Sequence, residues 1–264
     1  MIEARHIAVT FRPGSPLENL ALRDASLEIL GGQFVTVIGS NGAGKSTFLN
    51  AVAGDVPLSA GTILIDGRDV TNWPSTKRAA LISRVFQDPV AGTCEDLTIE
   101  ENLAIALRRV GRRGWRRALE RATRDKFRAE LARLGLGLET RLQHQVGLLS
   151  GGQRQALSLL MATLSDTKIL LLDEHTAALD PTAASLVLEL TRRLVAERGL
   201  TVLMVTHSMR QALDYGDRTV MFHQGHIIFD VKGDERHRLD VPDLLRLFEK
   251  AKGEQLADDA LVLG

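Results

Sequence analysis

The run Gly39-Ser40-Asn41-Gly42-Ala43-Gly44-Lys45-Ser46-Thr47 matches G-x-x-x-x-G-K-[ST]. Glycines at these places let backbone N–H groups turn inward around phosphate oxygens, and a helix starting at Lys45 adds its positive end. Lys45 is then placed to reach the β- and γ-phosphates of a nucleotide, and Ser46 to offer a hydroxyl to Mg²⁺. The pattern follows the apolar run Phe34–Ile38 and opens the helical segment Lys45–Ala53. That strand–loop–helix context separates a phosphate cradle from an ordinary glycine-rich turn.

A second run, Ile169-Leu170-Leu171-Leu172-Asp173-Glu174, is apolar and ends in two acids. Ligands of open α/β sheets gather at the carboxyl ends of strands. Asp173 therefore reads as a carboxylate for Mg²⁺, and Glu174 as a general base or positioner for an attacking water. Between the two runs, Leu149-Ser150-Gly151-Gly152-Gln153 reads as a helix start, with Ser150 as cap and glycines exposing N–H groups. It is a second anion site, although one γ-phosphate does not need two cradles in one chain.

These residues need a scaffold. The chain has 264 residues, 44% of them apolar and 25% charged, enough for one large α/β domain with an insert and a sizeable core. Formal net charge is zero, so bulk charge recruits no partner. The single cysteine, Cys94, cannot form an internal disulfide and reads as an inert side chain. Residues 1–10 lack the apolar stretch of a signal peptide, and no run approaches the roughly 18 apolar residues of a span. A cytosolic chain is expected, with any membrane part supplied by a partner.

Expected strands are Ile2–Val9, Ala25–Ile29, Phe34–Ile38, Gly61–Ile65, Ile82–Phe86, Ile169–Leu172, Thr201–Val205, Thr219–Phe222 and His226–Asp230. Expected helices are Lys45–Ala53, Thr98–Arg109, Trp115–Leu134, Gly151–Leu164, Thr182–Glu197 and Met209–Tyr215. Three of the strands are almost wholly apolar, as strands buried on both faces of a parallel sheet are. Asp88–Ser165 reads as a helical insert, and Val241–Ala251, with Leu244, Leu245, Leu247 and Phe248 at helical spacing, as a docked helix.

Taken together, the chain resembles the nucleotide-binding subunits of ATP-binding cassette (ABC) transporters, from about Ile2 to Asp230. The resemblance implies an α/β P-loop NTPase core with a parallel sheet, an N-terminal antiparallel β region and an inserted α-helical subdomain. It divides the chain into an ABC ATPase domain over 1–230, with its helical subdomain at about 88–165, and a C-terminal extension over 231–264. It also explains the second cradle: Ser150, Gly151, Gly152 and Gln153 would complete the ATP site of a second copy, so the working unit would be a dimer.

Further positions follow from the resemblance alone. Gln87 looks like the Q-loop glutamine that contacts Mg²⁺ or water. His207 looks like the switch histidine beside the γ-phosphate, and Asp180 like the D-loop aspartate that bridges subunits. Phe11 stands where the family stacks an aromatic on adenine, a core placement being the alternative. One departure is plain. Proline usually follows the catalytic glutamate, and here it is His175, which puts the geometry of the following loop in question.

The same resemblance implies ATP and Mg²⁺ as ligands, and integral-membrane permease subunits as partners. The segment Arg84–Arg109 resembles the importer surface that receives a permease coupling helix. The pattern is similar to bacterial cassettes paired with extracytoplasmic substrate-binding proteins, some linked to aromatic amino acids. Import of an amino acid or related small solute through the permease, powered by a subunit held at the cytoplasmic face of the inner membrane, is the expectation. Soluble cassettes of translation or DNA repair, and export of lipids or peptides, are the alternatives. Arg108, Arg109, Arg112, Arg113, Arg116, Arg117, Arg121 and Arg124, with Trp115, Leu119 and Ala122 as an apolar stripe, read as a solvated helix face or a lipid-headgroup contact. Zero net charge and few aromatics argue against nucleic acid.

Overall fold

The computed structural model describes residues 1–109 and 119–250. Two compact units emerge, Met1–Ser75 with Thr201–Gly264, and Thr76–Leu200.

In the first unit, β1 (Ile2–Phe11), β2 (Asn19–Ile29), β4 (Ala60–Ile65) and β5 (Arg68–Asp69) form an antiparallel sheet in the order β2-β1-β4-β5. Ile2, Ala4, Ile7 and Val9 are its buried residues on β1. Their alternation breaks at His6, where φ is 48° and the pairing shifts register, the mark of a bulge. β3 (Phe34–Gly39) runs parallel to β8 (Thr201–Val205) and to β9 (Arg218–His223), and β10 (His226–Lys232) pairs antiparallel with β9. Every residue of β8 is buried, and Phe34–Ile38 of β3 likewise, as expected of strands covered on both faces. The one polar side chain within that stretch of β3, Thr36, meets the carbonyls of Ala212 (3.0 Å) and Arg218 (3.1 Å).

Helix α1 (Lys45–Ala53) stops at Gly54, whose left-handed backbone (φ 82°) returns its N–H to Ala51 and Asn50. Residues 241–250 are helical. They dock as expected, with Leu244 buried among Ile38, Ala212 and Met221.

The second unit pairs β6 (Ile82–Val85) parallel with β7 (Ile169–Asp173). Between them the described chain is helical: α3 (Ile99–Leu107), α4 (Arg121–Ala132) and α5 (Gly151–Thr163), with a lone bridge, Thr98 to Gln145. α3 and α5 each start with a capping box, Thr98 with Glu101 and Ser150 with Gln153. α6 (Pro181–Arg198) has Asp180 as cap, Pro181 at its first turn and Gly199 at its end.

Two expectations need correction. The helix expected over Trp115–Leu134 is seen as α4, starting at Arg121; residues 110–118, including Trp115, Arg112, Arg113, Arg116 and Arg117, lie outside the described residues. The stripe of Leu119 and Ala122 does not form one helical face, because Leu119 and Glu120 are not helical and Ala122 is exposed; α4 buries Phe127 and Leu131 instead. Three short α-helices are α2 (Ser75–Arg78), α7 (Met209–Asp214) and α8 (Gly233–His237). Among these, α2 and α8 carry too few residues for a periodicity to show.

Candidate active site

In the first unit, the loop between β3 and α1 holds the full phosphate-cradle sequence. Ser40, Asn41 and Gly42 are exposed, while Lys45 is buried. Gly39 (φ 144°) and Gly44 (φ 101°) cannot be replaced: a Cβ would lie 2.2 Å from the Phe222 carbonyl oxygen and 2.7 Å from that of Ala21. The loop is pinned from outside as well, since Gly225 N–H donates to the Ala43 carbonyl at 3.0 Å. Lys45 Nζ folds onto the loop, donating to the carbonyls of Gly39 and Ser40, both at 2.9 Å. An ammonium held at the mouth of a ring of backbone amides suits the phosphates of a nucleotide.

His207 belongs to the same unit. Thr206 N–H donates to the Val37 carbonyl of β3 at 3.1 Å, so His207 leaves the sheet beside the strand that feeds the loop. Its turn is fixed by Ser208 N–H to Thr206 Oγ1 (3.1 Å), Thr206 Oγ1 to Gln211 (2.7 Å), and the Ser208 cap on α7. The His207 ring is exposed, and Phe11, at the end of β1, is 39% exposed; a core placement of Phe11 is thereby excluded.

The second unit carries Gln87, Ser150–Gln153, Asp173, Glu174 and Asp180. Ser150 Oγ accepts from Gln153 N–H, and the Gln153 side chain accepts from Ser150 N–H, which leaves the amides of Gly151 and Gly152 at the helix start. Ser150 and Gly151 are exposed. Asp180 Oδ1 accepts from Thr182 and Ala183 N–H at 3.0 Å each, so its carboxylate is a helix cap at an exposed position. Glu174 stands in a left-handed backbone (φ 47°), a conformation costly for a residue with a side chain and concentrated at functional sites.

Two residues that carried no sequence signal of their own organise this unit. Gln155, fully buried on α5, donates its amide to the carbonyls of Phe86 (3.0 Å) and His175 (2.7 Å). One side chain thus ties the residue before Gln87 to the residue after Glu174. Arg84, on β6, donates to Asp173 Oδ2 at 2.6 Å and lies 4.7 Å above the Phe86 ring.

His175, in the place of the usual proline, is buried and meets Thr191 Oγ1 through Nε2 at 3.1 Å. Burial pushes its pKa down to about 4, so it is neutral at physiological pH. Proline would hold this turn by its ring; here a hydrogen-bonded imidazole and its carbonyl, held by Gln155, do so.

Among the described residues no group of three or more His, Cys, Asp or Glu side chains could cage a metal. The Ser46 hydroxyl in the first unit and the Asp173 carboxylate in the second are each hard oxygens of the kind Mg²⁺ takes alongside phosphate and water. No described helix is long and apolar enough to cross a membrane.

The family model described as ABC transporter matches residues 22–177. The tyrosine transport ATP-binding protein of Clostridioides difficile is 43% identical over 95% of this chain and 100% of its own length. An energy-coupling factor transporter ATP-binding protein of Ligilactobacillus salivarius is 30% identical over 100% of this chain and 98% of its own. A dimeric ATP-binding cassette in a post-hydrolysis state, bound to ADP and phosphate, superposes with TM-score 0.74 at 27% identity, covering 88% of this chain and 98% of that one. The chain belongs to the ABC transporter family, as one of its ATP-binding, ATP-hydrolysing subunits.

Proposed function

We propose that this subunit powers import of an amino acid or a related small solute through separate permease subunits, fed by an extracytoplasmic substrate-binding protein. The observation that carries the reading is the 43% identity to a tyrosine transport ATP-binding protein over nearly the whole of both chains. The subunit would sit at the cytoplasmic face of the inner membrane, held there by the permease. Its ABC ATPase domain would span 1–230, with the helical subdomain at about 88–165 and a C-terminal extension beyond.

Two copies would close over two ATP molecules. Gly39–Thr47 of one copy wraps the phosphates, and Lys45 exchanges its two loop carbonyls for phosphate oxygens. Phe11 stacks on the adenine. Ser150–Gln153 of the second copy presents its helix start to the γ-phosphate. Glu174 accepts a proton from the attacking water as the bond between the γ-phosphorus and the bridging oxygen breaks, while His207 steadies the γ-phosphate. Ser46, Asp173 and Gln87 would hold Mg²⁺, which would supply positive charge to offset the charge of the phosphates. Asp180 sits at the start of α6, facing the second copy. Gln155, by holding the carbonyls on either side of this machinery, keeps Gln87 and Glu174 in register.

Coupling would run through a cavity of about 810 Å³ in the second unit, lined by Phe86, Ala104, Ile105 and Ala162 among others. Its apolar lining beside the Gln87 segment suits a permease helix. Deleting the gene and measuring uptake of labelled tyrosine and a panel of amino acids tests the substrate class. Loss of uptake of one of them, restored by this chain and not by its Glu174→Gln form, is expected. Unchanged uptake of the whole panel would overturn it. A second reading, an energy-coupling factor transporter subunit, rests on the 30% identical relative and would be decided by the membrane proteins that copurify.

A further inference from the structure

Residues 174–180 form a short loop of the second unit that begins at Glu174 and ends as the cap of α6. Glu174 opens it with its left-handed backbone, and Ala177 N–H donates to the Glu174 carbonyl at 2.9 Å. Asp180 closes it by capping α6. Just after Glu174, the buried His175 brings its Nε2 to 3.1 Å from Thr191 Oγ1, about three turns along α6.

The proton in that contact can be placed. Thr191 has one O–H, and it donates to the Val187 carbonyl one turn back, at 2.8 Å. Its oxygen therefore has lone pairs to offer the ring, and His175 donates from Nε2. The His175 carbonyl is held separately, by Gln155 on α5. Ring and carbonyl of one residue are thus fixed from two helices. Thr191 and Gln155 are both buried, so a bond lost at either is costly. A left-handed backbone at a glutamate persists where its surroundings over-determine it. A neighbour pinned at two points leaves the peptide between them little freedom to turn.

We infer that His175 is a positioning residue: donating from Nε2 to Thr191, it clips the loop to α6 and holds the backbone from which Glu174 meets the attacking water. The inference rests on the reading of Glu174 as general base. Proline, the residue usual at this place in the family, restricts the chain through its own ring. The imidazole does so through a bond that a change on a different element can remove, so Thr191 sets the rate without touching nucleotide.

Thr191→Val removes the acceptor in nearly the same shape, outside every residue assigned to nucleotide or Mg²⁺. Turnover of the full chain should fall about ten-fold, with KM and the affinity for a fluorescent ATP analogue within about two-fold of the parent. Thr191→Ser keeps the hydroxyl and should stay within about three-fold of parent turnover. Melting curves confirm that each variant is folded at the assay temperature. A purely structural role would lower the melting temperature and leave kcat of the folded chain unchanged. Adding Thr191→Val to His175→Leu should cost nothing more, since both changes break one bond. Nitrogen-15 NMR of the histidine-labelled parent should find the His175 proton on Nε2. Parent turnover in folded Thr191→Val, a Thr191→Ser chain as slow as Thr191→Val, multiplying losses in the double variant, or a ring proton on Nδ1 alone would each overturn the inference. Glu174→Gln separates the two levels. Parent turnover in that variant refutes the role of Glu174, and the inference falls with it. Background turnover there, with parent turnover in Thr191→Val, refutes the clip and leaves Glu174 in its role.

Discussion

Gln155 Nε2 lies 2.7 Å from the carbonyl oxygen of His175, the residue that follows Glu174. The same nitrogen reaches the Phe86 carbonyl at 3.0 Å, just before Gln87. Replacing Gln155 with Leu leaves two buried carbonyls without this donor. A loss of about 2 kcal/mol in unfolding free energy is expected, read by denaturant titration. Turnover should fall further than nucleotide affinity does, since the phosphate cradle lies elsewhere in the chain. Equal falls in both would mean that Gln155 does not act on the geometry of Glu174.

Lys45→Ala removes the ammonium that now rests on Gly39 and Ser40. ATP affinity is expected to drop at least ten-fold, by equilibrium binding, with the melting temperature little changed. Full affinity in this variant would contradict the cradle assignment.

The buried imidazole of His175 sets a pH dependence. Its folded pKa, about 4, lies below the unfolded value near 6.5, so the unfolded chain binds the proton more readily. The corresponding stability is fully present above pH 6.5 and is lost as pH falls toward 4. By pH 5.5 the loss is about 1.4 kcal/mol from this group. His175→Gln, which lacks a titrating ring, should therefore close part of its stability gap to the parent between pH 7 and 5 in urea unfolding. A gap that widens on acidification would show that the ring is charged in the fold.

Arg236 is 4% exposed and donates to the carbonyls of Ala212 (2.8 Å), Leu213 (2.9 Å) and Tyr215 (2.8 Å), and to Thr219 Oγ1 (3.0 Å). It caps the end of α7, the helix that begins just after His207. Arg236→Met is expected to cost about 3 kcal/mol and to speed hydrogen exchange across residues 209–215 before it does so in α5. Uniform exchange would remove the special link to α7.

Much of this was legible in residue order. The cradle showed because glycines, lysine and hydroxyls must occur at fixed spacing, and the strands Phe34–Ile38 and Thr201–Val205 because burial on both faces excludes polar residues. Ser150 read as a cap for a reason of local chemistry, and it is one. The ties made by Gln155, Arg84 and Arg236 did not show. Each depends on which carbonyl or carboxylate a distant segment brings within about 3 Å, and no local spacing encodes that. His175 was visible as a departure from the family, but its burial against Thr191 was not.

Catalysis shared between copies is tested most directly by the mass of the Glu174→Gln chain in solution. Without nucleotide, light scattering should give about 28.9 kDa, and with Mg·ATP about twice that, with turnover near background. Adding Ser150→Arg to the same chain should leave ATP bound and abolish the doubling. A chain that stays at single mass with ATP bound, while the parent subunit hydrolyses at full rate under the same conditions, would contradict it.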